Sequence, residues 1–292
     1  MAAALALMAA FLFALAATLQ QKGALNLAGV SLAKPMSLVR LVGQRMWLLG
    51  TCALLVGYVL QAGALDRGRL AVIQPLLVVT VVFALPLGWL LTNQRVGRRE
   101  VGGAGVIVLG LVLFTIYGDP AGGKDNAPNN EWAIAIVVLS VLCAVLLVLG
   151  RHGSLTKTAA VYGSVAGILF GLSAALTKPT VEQLHEGVGV MLSHWHCYAL
   201  AVAGVLGFVL QQVSLGTGRL APSVATVSVC NPVVGVILGT AIFDERLSRP
   251  LWHVVAAVIG LVLALGGAVL ISLASQPRAE QEDAPESSAA LA

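Results

Sequence analysis

The sequence has little charge. Only 10% of its 292 residues are Asp, Glu, Lys or Arg, whereas 58% are hydrophobic. A water-soluble domain of this size has to cover its surface with polar and charged groups, and this composition does not supply them. The scarcity of charge therefore excludes an ordinary soluble domain and predicts a protein surrounded mainly by lipid.

The sequence also lacks the local motifs of several functional classes. Its four cysteines stand singly in different apolar stretches, which favours small buried side chains over a disulfide framework or a zinc site. It has no Gly-rich phosphate loop, no HExxH motif and no nucleophile elbow, so we expect neither an enzyme nor an ATP-driven pump, and no cofactor. The net charge of +4 comes from scattered loop residues, which argues against a nucleic-acid partner.

Long uncharged stretches take the place of these motifs. A helix needs about 20 apolar residues to cross the hydrocarbon core of a bilayer. Nine such spans occur, at residues 2–19, 46–65, 70–91, 101–117, 132–150, 159–177, 195–215, 220–243 and 251–275. The sequence predicts an all-α polytopic membrane protein with nine transmembrane helices in one domain, 1–275. Residues 276–292 are rich in Glu, Ala and Ser and are expected to form a disordered tail.

The sequence repeats itself internally. Residues 57–71 match residues 207–221 without a gap, and nine of the fifteen positions are identical. A weaker match aligns residues 13–19 with residues 170–176. Together they pair the first four spans, within 1–118, with the last four, within 159–275. The fifth span, 132–150, has no counterpart.

The pairing predicts that the two halves are inverted. Paired spans are separated by five, an odd number, so they cross the membrane in opposite directions. Inverted repeats recur in secondary transporters, where the solute site lies near the midplane between the repeats. The alternative is a duplication kept for stability alone.

Basic residues indicate an orientation. Eleven Lys and Arg lie on the side reached after the odd-numbered spans, and six lie on the other side. Since cytoplasmic loops carry the excess of basic residues, we expect a multi-pass protein of the cytoplasmic membrane. Its N-terminus would be outside and its C-terminus in the cytoplasm.

Polar side chains within the spans are the candidates for a solute path, because unpaired polar groups are costly in lipid. In the eighth span a polar run includes Ser228 and Asn231 and ends at Pro232, which removes the helical partner of the Ser228 carbonyl. Gln74 lies about one turn into the third span. Such groups can bind a cation or a polar solute where they line a wet cavity. The alternative is helix kinking and pairing between helices.

Two further glutamines occupy equivalent positions of the stronger sequence match. Gln61 and Gln211 lie one turn before the ends of the second and seventh spans. In inverted repeats they would face opposite membrane surfaces. We interpret them as path residues near the two entrances.

A few charged or titratable residues lie at span ends. Lys178 follows the sixth span and can draw an anionic solute, although snorkelling of its side chain to the interface is the simpler alternative. Asp244 and Glu245 follow the eighth span, where a solvated helix end is expected. His194 and His196 flank Trp195 and are expected in an interfacial aromatic belt.

Residues 57–58, 61 and 73–76, together with the turn at 243–247, resemble the pattern of a known family. The family is the drug/metabolite transporter superfamily and, within it, the NIPA-type magnesium transporter branch. The resemblance covers most of residues 1–275 in hydropathy, repeats and span number. That branch has an acidic residue where this chain has Tyr58, so the group best suited to a divalent cation is absent at that position.

The resemblance implies a carrier without a cofactor. We therefore predict an integral membrane secondary transporter that moves a small solute by alternating access. The alternatives are a NIPA-like transporter of magnesium or another divalent cation, and a membrane scaffold subunit that transports nothing. The unpaired fifth helix is expected to be available for contact with a second copy of the chain.

Overall fold

The computed structural model describes residues 1–25, 43–92, 96–118, 123–124, 126–150, 154–215, 220–245 and 250–274. Throughout these ranges the chain is helical except at short connections, and they contain no strand. The helices are α1 (Ala2–Leu25), α2 (Arg45–Arg67), α3 (Leu70–Leu76), α4 (Thr80–Thr92), α5 (Arg98–Tyr117), α6 (Asn129–Gly150), α7 (Leu155–Glu186), α8 (Val188–Ser193), α9 (Trp195–Leu215), α10 (Leu220–Ala241) and α11 (Leu251–Ala274).

The described helices include eight that are long and apolar enough to span a membrane. These are Ala2–Gln20, Arg45–Arg67, Leu70–Thr92, Arg98–Tyr117, Asn129–Gly150, Lys157–Glu186, Trp195–Ser214 and Leu251–Ile271. Helix α10 has 22 residues, of which the stretch Ala225–Ala241 counts as a shorter apolar helix. The all-α polytopic fold is thus confirmed, whereas the count of nine spans stays a prediction. The tail at 276–292 lies outside the described residues.

The third span is broken near one end. Pro75 lies inside α3, and the 3₁₀ turn Leu77–Val79 follows directly and leads into α4. Proline removes a helical hydrogen bond and its ring crowds the preceding turn, so a tighter turn after it relieves the conflict. Pro232, by contrast, lies within α10 without a break in the helix.

Glycine allows α5 and α11 to cross with their backbones in contact. A Cβ atom added to Gly110 would lie 2.5 Å from the carbonyl oxygen of Gly260, and one added to Gly260 would lie 2.6 Å from that of Gly110. Gly103 and Gly267 approach each other in the same reciprocal way, at 3.2 and 2.8 Å. Close packing through small residues is the usual basis of helix association in lipid.

A second small-residue contact joins α7 to α10. Gly163, Gly167 and Gly171 recur at every fourth position, so they lie on one face of α7. A Cβ atom at Gly167 would lie 2.8 Å from Cβ of Cys230, and one at Gly171 would lie 2.8 Å from the carbonyl oxygen of Asn231. The backbone of α10 around Asn231 is therefore held directly against α7.

One packing contact occurs in both halves of the chain. A Cβ atom at Gly57 of α2 would lie 2.7 Å from the ring of Phe13 of α1, and one at Gly207 of α9 would lie 3.0 Å from the ring of Phe170 of α7. The stronger sequence match aligns Gly57 with Gly207, and the weaker one aligns Phe13 with Phe170. The residues paired by the two separate sequence matches thus form equivalent contacts in the two halves of the chain.

Helices α3, α7 and α10 share the larger core cluster. It includes Leu70 and Ile73 of α3, Leu172 of α7, and Val234 and Leu238 of α10. Helix α6 packs one face against this core, with Trp132 completely buried near its start and Ile136, Leu139 and Leu146 partly buried further along. Most other large apolar residues of α6 are exposed, which suits contact with lipid.

Candidate functional site

The turn after α10 buries a carboxylate. Glu245 has no exposed surface, and its Oε1 and Oε2 atoms accept hydrogen bonds from the backbone N–H groups of Leu70 at 2.9 Å and Ala71 at 2.8 Å. These N–H groups belong to the first turn of α3 and have no partner within their own helix. Glu245 therefore caps the third span from a distant part of the chain.

Lys178 of α7 supplies the opposite charge. Its Nζ atom donates to Glu245 Oε1 at 3.1 Å, and the two side chains are only 7% and 0% exposed. The same Nζ lies 4.8 Å from the centroid of the Phe243 ring, within the range of a cation–π contact. The Glu245 carboxylate thus accepts three hydrogen bonds in a site that is closed to solvent.

The interfacial position expected for the Lys178 side chain and the solvated position expected for Glu245 are wrong, whereas the solute-path role of Lys178 stays a prediction. Lys178 does not end its helix, because α7 continues for about two further turns to Glu186, and its ammonium group is buried rather than at the interface. Glu245 is not solvated, because the N–H groups of α3 and the ammonium of Lys178 replace water. The Glu-Arg-Leu turn, noticed only as a family resemblance, was the signal for this residue.

Local backbone geometry brings Glu245 back onto its own helix. Asp244 has φ 54°, in the left-handed region that few non-glycine residues adopt, and the N–H of Glu245 donates to the carbonyl oxygen of Gly239 at 3.1 Å. A Cβ atom at Gly239 would lie 2.7 Å from Glu245 Oε2 and 3.1 Å from the backbone nitrogen of Ala71. Gly239 therefore leaves the space that the carboxylate occupies.

A small polar cavity adjoins this ion pair. Its volume is about 130 Å³, and it is lined by Leu65, Asp66, Lys178, Glu182 and His185. Asp66 Oδ1 lies 2.9 Å from Nε2 of His185, which links α2 to α7.

One turn deeper, a buried amide stands at the contact between α3 and α10. Gln74 is 1% exposed, and within the described part of the chain neither its Oε1 nor its Nε2 has a hydrogen-bond partner. Its side chain packs directly against Gly235 of α10. Asn231, one turn before Gly235 on that helix, has a buried Oδ1 atom that is likewise unpartnered among the described residues. Unsatisfied buried polar atoms are rare enough to indicate bound water or a ligand.

The polar groups at this contact follow one another along α10. Glu245 meets α3 at Ala71 beside Gly239, Gln74 meets α10 at Gly235, and Asn231 lies one turn before Gly235. Gly239, Gly235 and Asn231 are four residues apart, which is about 6 Å along a helix. We call Glu245, Gln74 and Asn231 the α3–α10 column.

The other predicted path residues lie in α2, α9 and α10. Gln61 is buried in α2, and Gln211 is half-buried in α9. Ser228 is half-buried and Pro232 buried in α10, close to Asn231 in sequence. Tyr58 is 41% exposed, and its ring packs against Phe13 at 5.1 Å between centroids, on the outer surface of α2. The structure therefore places Gln74 at the α3–α10 contact and Asn231 one turn before Gly235 on α10, with its backbone against α7, and leaves Tyr58 on the outside of α2.

His196 is buried in an aromatic cluster at the start of α9. It is 3% exposed, its Nδ1 atom lies 3.0 Å from Nε2 of Gln183, and its ring stacks on Trp195 at 4.1 Å. Trp132 of α6 contacts the same ring edge-on at 5.9 Å. This cluster attaches α6 to α7 and α9, which gives His196 a packing role.

The described residues contain no group of three or more His, Cys, Asp and Glu side chains arranged to hold a metal ion. We call the end of the helix bundle at which Lys178 and Glu245 lie the Lys178 end. Charged side chains at this end form ion pairs. Besides Lys178 and Glu245, Lys124 and Asp244 form an exposed pair at 3.1 Å.

Two known proteins are similar to the chain. It is 28% identical over 231 residues to an uncharacterized protein of Corynebacterium glutamicum, a match that covers 79% of this chain and 80% of that protein. It is 25% identical over 278 residues to the probable magnesium transporter NIPA9 of Arabidopsis thaliana, a match that covers 88% and 78%. No protein-family model and no solved structure matches the chain significantly.

These findings define the class. The chain is a multi-pass α-helical membrane protein. The predicted likeness to NIPA-type magnesium transporters is confirmed by one distant relative, whereas membership of the drug/metabolite superfamily stays a prediction.

Proposed function

We propose that the protein is a membrane carrier, not an enzyme, and that it moves a small polar solute along the α3–α10 column. The observation that carries this proposal is the fully buried amide of Gln74, whose oxygen and nitrogen both lack a partner in the described structure. Helix α3 belongs to the first predicted repeat and α10 to the second. A solute at Gln74 would therefore sit between the repeats, as in other carriers with inverted repeats.

Packing symmetry supports the inverted repeats on which this mechanism depends. The contact of Gly57 with Phe13 has its counterpart in that of Gly207 with Phe170. The register of the stronger sequence match also pairs Gly110 with Gly260, and these two glycines pack against each other. A two-fold axis between inverted repeats would pass through such a self-paired contact. We propose that the repeats rock about the α5–α11 crossing.

The chemistry of the column favours an uncharged polar group on the solute. The Gln74 amide offers two donors and an acceptor, and the Asn231 oxygen offers another acceptor. A solute group that both donates and accepts hydrogen bonds would satisfy all three buried atoms.

Transport of hydrated magnesium is the second candidate. It is favoured by the name of the Arabidopsis relative and by the carboxylates of Asp66 and Glu182 in the cavity beside the ion pair. Magnesium keeps several of its water ligands when bound, and these waters would donate to the amide oxygens of Gln74 and Asn231. The Gln74 nitrogen would gain nothing from such a cation, which is why we place this candidate second.

Reconstituted protein tests the proposal. Liposomes containing the chain would be screened for uptake of neutral polar metabolites and of Mg²⁺, with and without pH and sodium gradients. We expect Gln74→Leu to lower uptake of the transported solute at least tenfold. Thr240→Val, a change at an exposed position of α10, should leave uptake unchanged. Uptake by Gln74→Leu equal to that of the wild type, or no uptake of any solute by the wild type, would overturn the proposal.

A further inference from the structure

We infer that the buried ion pair of Lys178 and Glu245 is the closed gate at one end of the solute path. The inference rests on the proposed function, because a gate requires a path. The pair lies one turn from Gln74, between the buried amide and the polar cavity lined by Asp66, Glu182 and His185. In the present structure it therefore closes the α3–α10 column at the cavity end, between the cavity and Gln74.

Two of the three bonds of this gate cross the boundary between the two repeats. Lys178 belongs to α7 and Glu245 follows α10, both in the second predicted repeat, whereas Leu70 and Ala71 begin α3 in the first. Rocking of one repeat against the other would separate the Glu245 carboxylate, together with Lys178, from the N–H groups of α3. The hydrogen bonds of Ser214, by contrast, lie within the second repeat and would survive that motion.

The surroundings provide for opening as well as for closure. When the start of α3 moves away, the Glu245 carboxylate loses its two backbone donors and needs water in their place, while Lys178 stays beside it. The adjoining cavity of about 130 Å³ brings the carboxylates of Asp66 and Glu182 to the same lining as Lys178. On opening, the ammonium group can stay paired within this cavity while the α3 end moves away.

The gate is not part of the duplicated scaffold. The register of the two sequence matches pairs Lys178 with Gln21 and Glu245 with Arg95. The position of the first repeat that corresponds to Glu245 is therefore basic rather than acidic. Stability of the repeat unit alone does not call for the pair, whereas a device that acts at one end of the path does.

Accessibility of the column to thiol reagents tests the gate. A cysteine would be placed at position 74 (Gln74→Cys) after replacement of the four native cysteines, and labelled with a membrane-impermeant reagent from each side of oriented vesicles. We expect Lys178→Met and Glu245→Gln to raise the labelling rate from the Lys178 end at least tenfold, without raising it from the other side. Lys124→Met, which breaks the exposed pair with Asp244, is the matched control and should change neither rate.

Gly239→Ala gives a second test that removes no charge. The added methyl group would meet the Glu245 carboxylate and the first turn of α3, so it should displace the carboxylate and raise labelling from the Lys178 end in the same way. An unchanged rate in both Lys178→Met and Gly239→Ala, in monodisperse purified protein, would overturn the gate. An equal increase from both sides would also overturn it, because a general loss of packing has no sidedness.

The labelling assay needs no transported solute. A sided increase in a protein that moves no solute would sustain the gate and remove the proposed carrier. Uptake by the wild type combined with unchanged labelling in the variants would support the carrier and overturn the gate.

Discussion

Lys178 Nζ and Glu245 Oε1 lie 3.1 Å apart although 67 residues separate them in the sequence. Both side chains are almost completely withdrawn from solvent, and the same carboxylate caps the first turn of α3. Glu245 therefore connects three helices, α3, α7 and α10, that are separate apolar stretches in the sequence. Its position one turn from the buried Gln74 connects this stabilising contact with the solute path.

Removal of one member of the buried pair should destabilise the protein strongly. Lys178→Met leaves the Glu245 carboxylate buried without its counter-charge, a loss of about 3–5 kcal/mol in comparable buried pairs. The double variant Lys178→Met with Glu245→Gln should recover part of this loss, because no isolated charge remains. Reversible unfolding in detergent micelles measures both. Lys124→Met, at a pair exposed by 48% and 45%, should cost about 1 kcal/mol or less. An equal cost for Lys124→Met and Lys178→Met would contradict the assignment.

Replacement of the buried glutamine should separate stability from transport. Gln74→Leu removes two unpartnered polar atoms from the interior, so we expect the free energy of unfolding to rise by roughly 1–3 kcal/mol while uptake falls. Thermal unfolding of purified protein, measured beside liposome uptake, checks this combination. A less stable variant with normal uptake would return Gln74 to a packing role.

The crossing of α5 and α11 should tolerate no side chain at its centre. Gly110→Ala places a methyl group against the backbone of Gly260 and Ala264, and overpacking of this kind costs about 1–3 kcal/mol. Gly105→Ala on the same helix is the matched control, since a Cβ atom there meets nothing within 4 Å. We expect that control to be neutral or more stable by up to about 1 kcal/mol, because alanine favours helix over glycine. Similar unfolding midpoints for the two variants would argue against this crossing.

The topology prediction is tested with reporters at the two ends of the chain. The excess of basic residues predicts an N-terminus outside and a C-terminus in the cytoplasm. A reporter fused after Ala292 should behave as cytoplasmic, and one fused before Met1 as external. Both ends on one side would require an even number of spans and would break the inverted pairing.

Much of the fold could be read from the sequence because lipid leaves few options. A stretch without charge that is long enough to cross the bilayer must form a helix, and eight such helices are present in the described residues. The pairing of Gly57 with Gly207 needed only alignment. The sequence Gly-Leu-Val-Leu, which begins at Gly110 and again at Gly260, is a further repeat signal at the crossing of α5 and α11.

The gate could not be read from the sequence, because burial of a charge depends on partners far along the chain. Glu245 bonds to Ala71, 174 residues away, and no local pattern predicts that the amide of a broken helix will lie beside it. In the sequence Lys178 follows an uncharged stretch, a position that usually marks the end of an apolar span. Gly239, which makes room for the carboxylate, looks like any small residue of a membrane helix.

The most direct test of the account is the accessibility of a cysteine at position 231, the deepest level of the α3–α10 column. In a background without native cysteines, Asn231→Cys would be exposed to impermeant thiol reagents from each side of oriented vesicles. The account predicts labelling from both sides, as alternating access requires, and protection by the transported solute. A cysteine at this position that reacts from neither side in folded protein would contradict the solute path and favour a membrane scaffold that transports nothing.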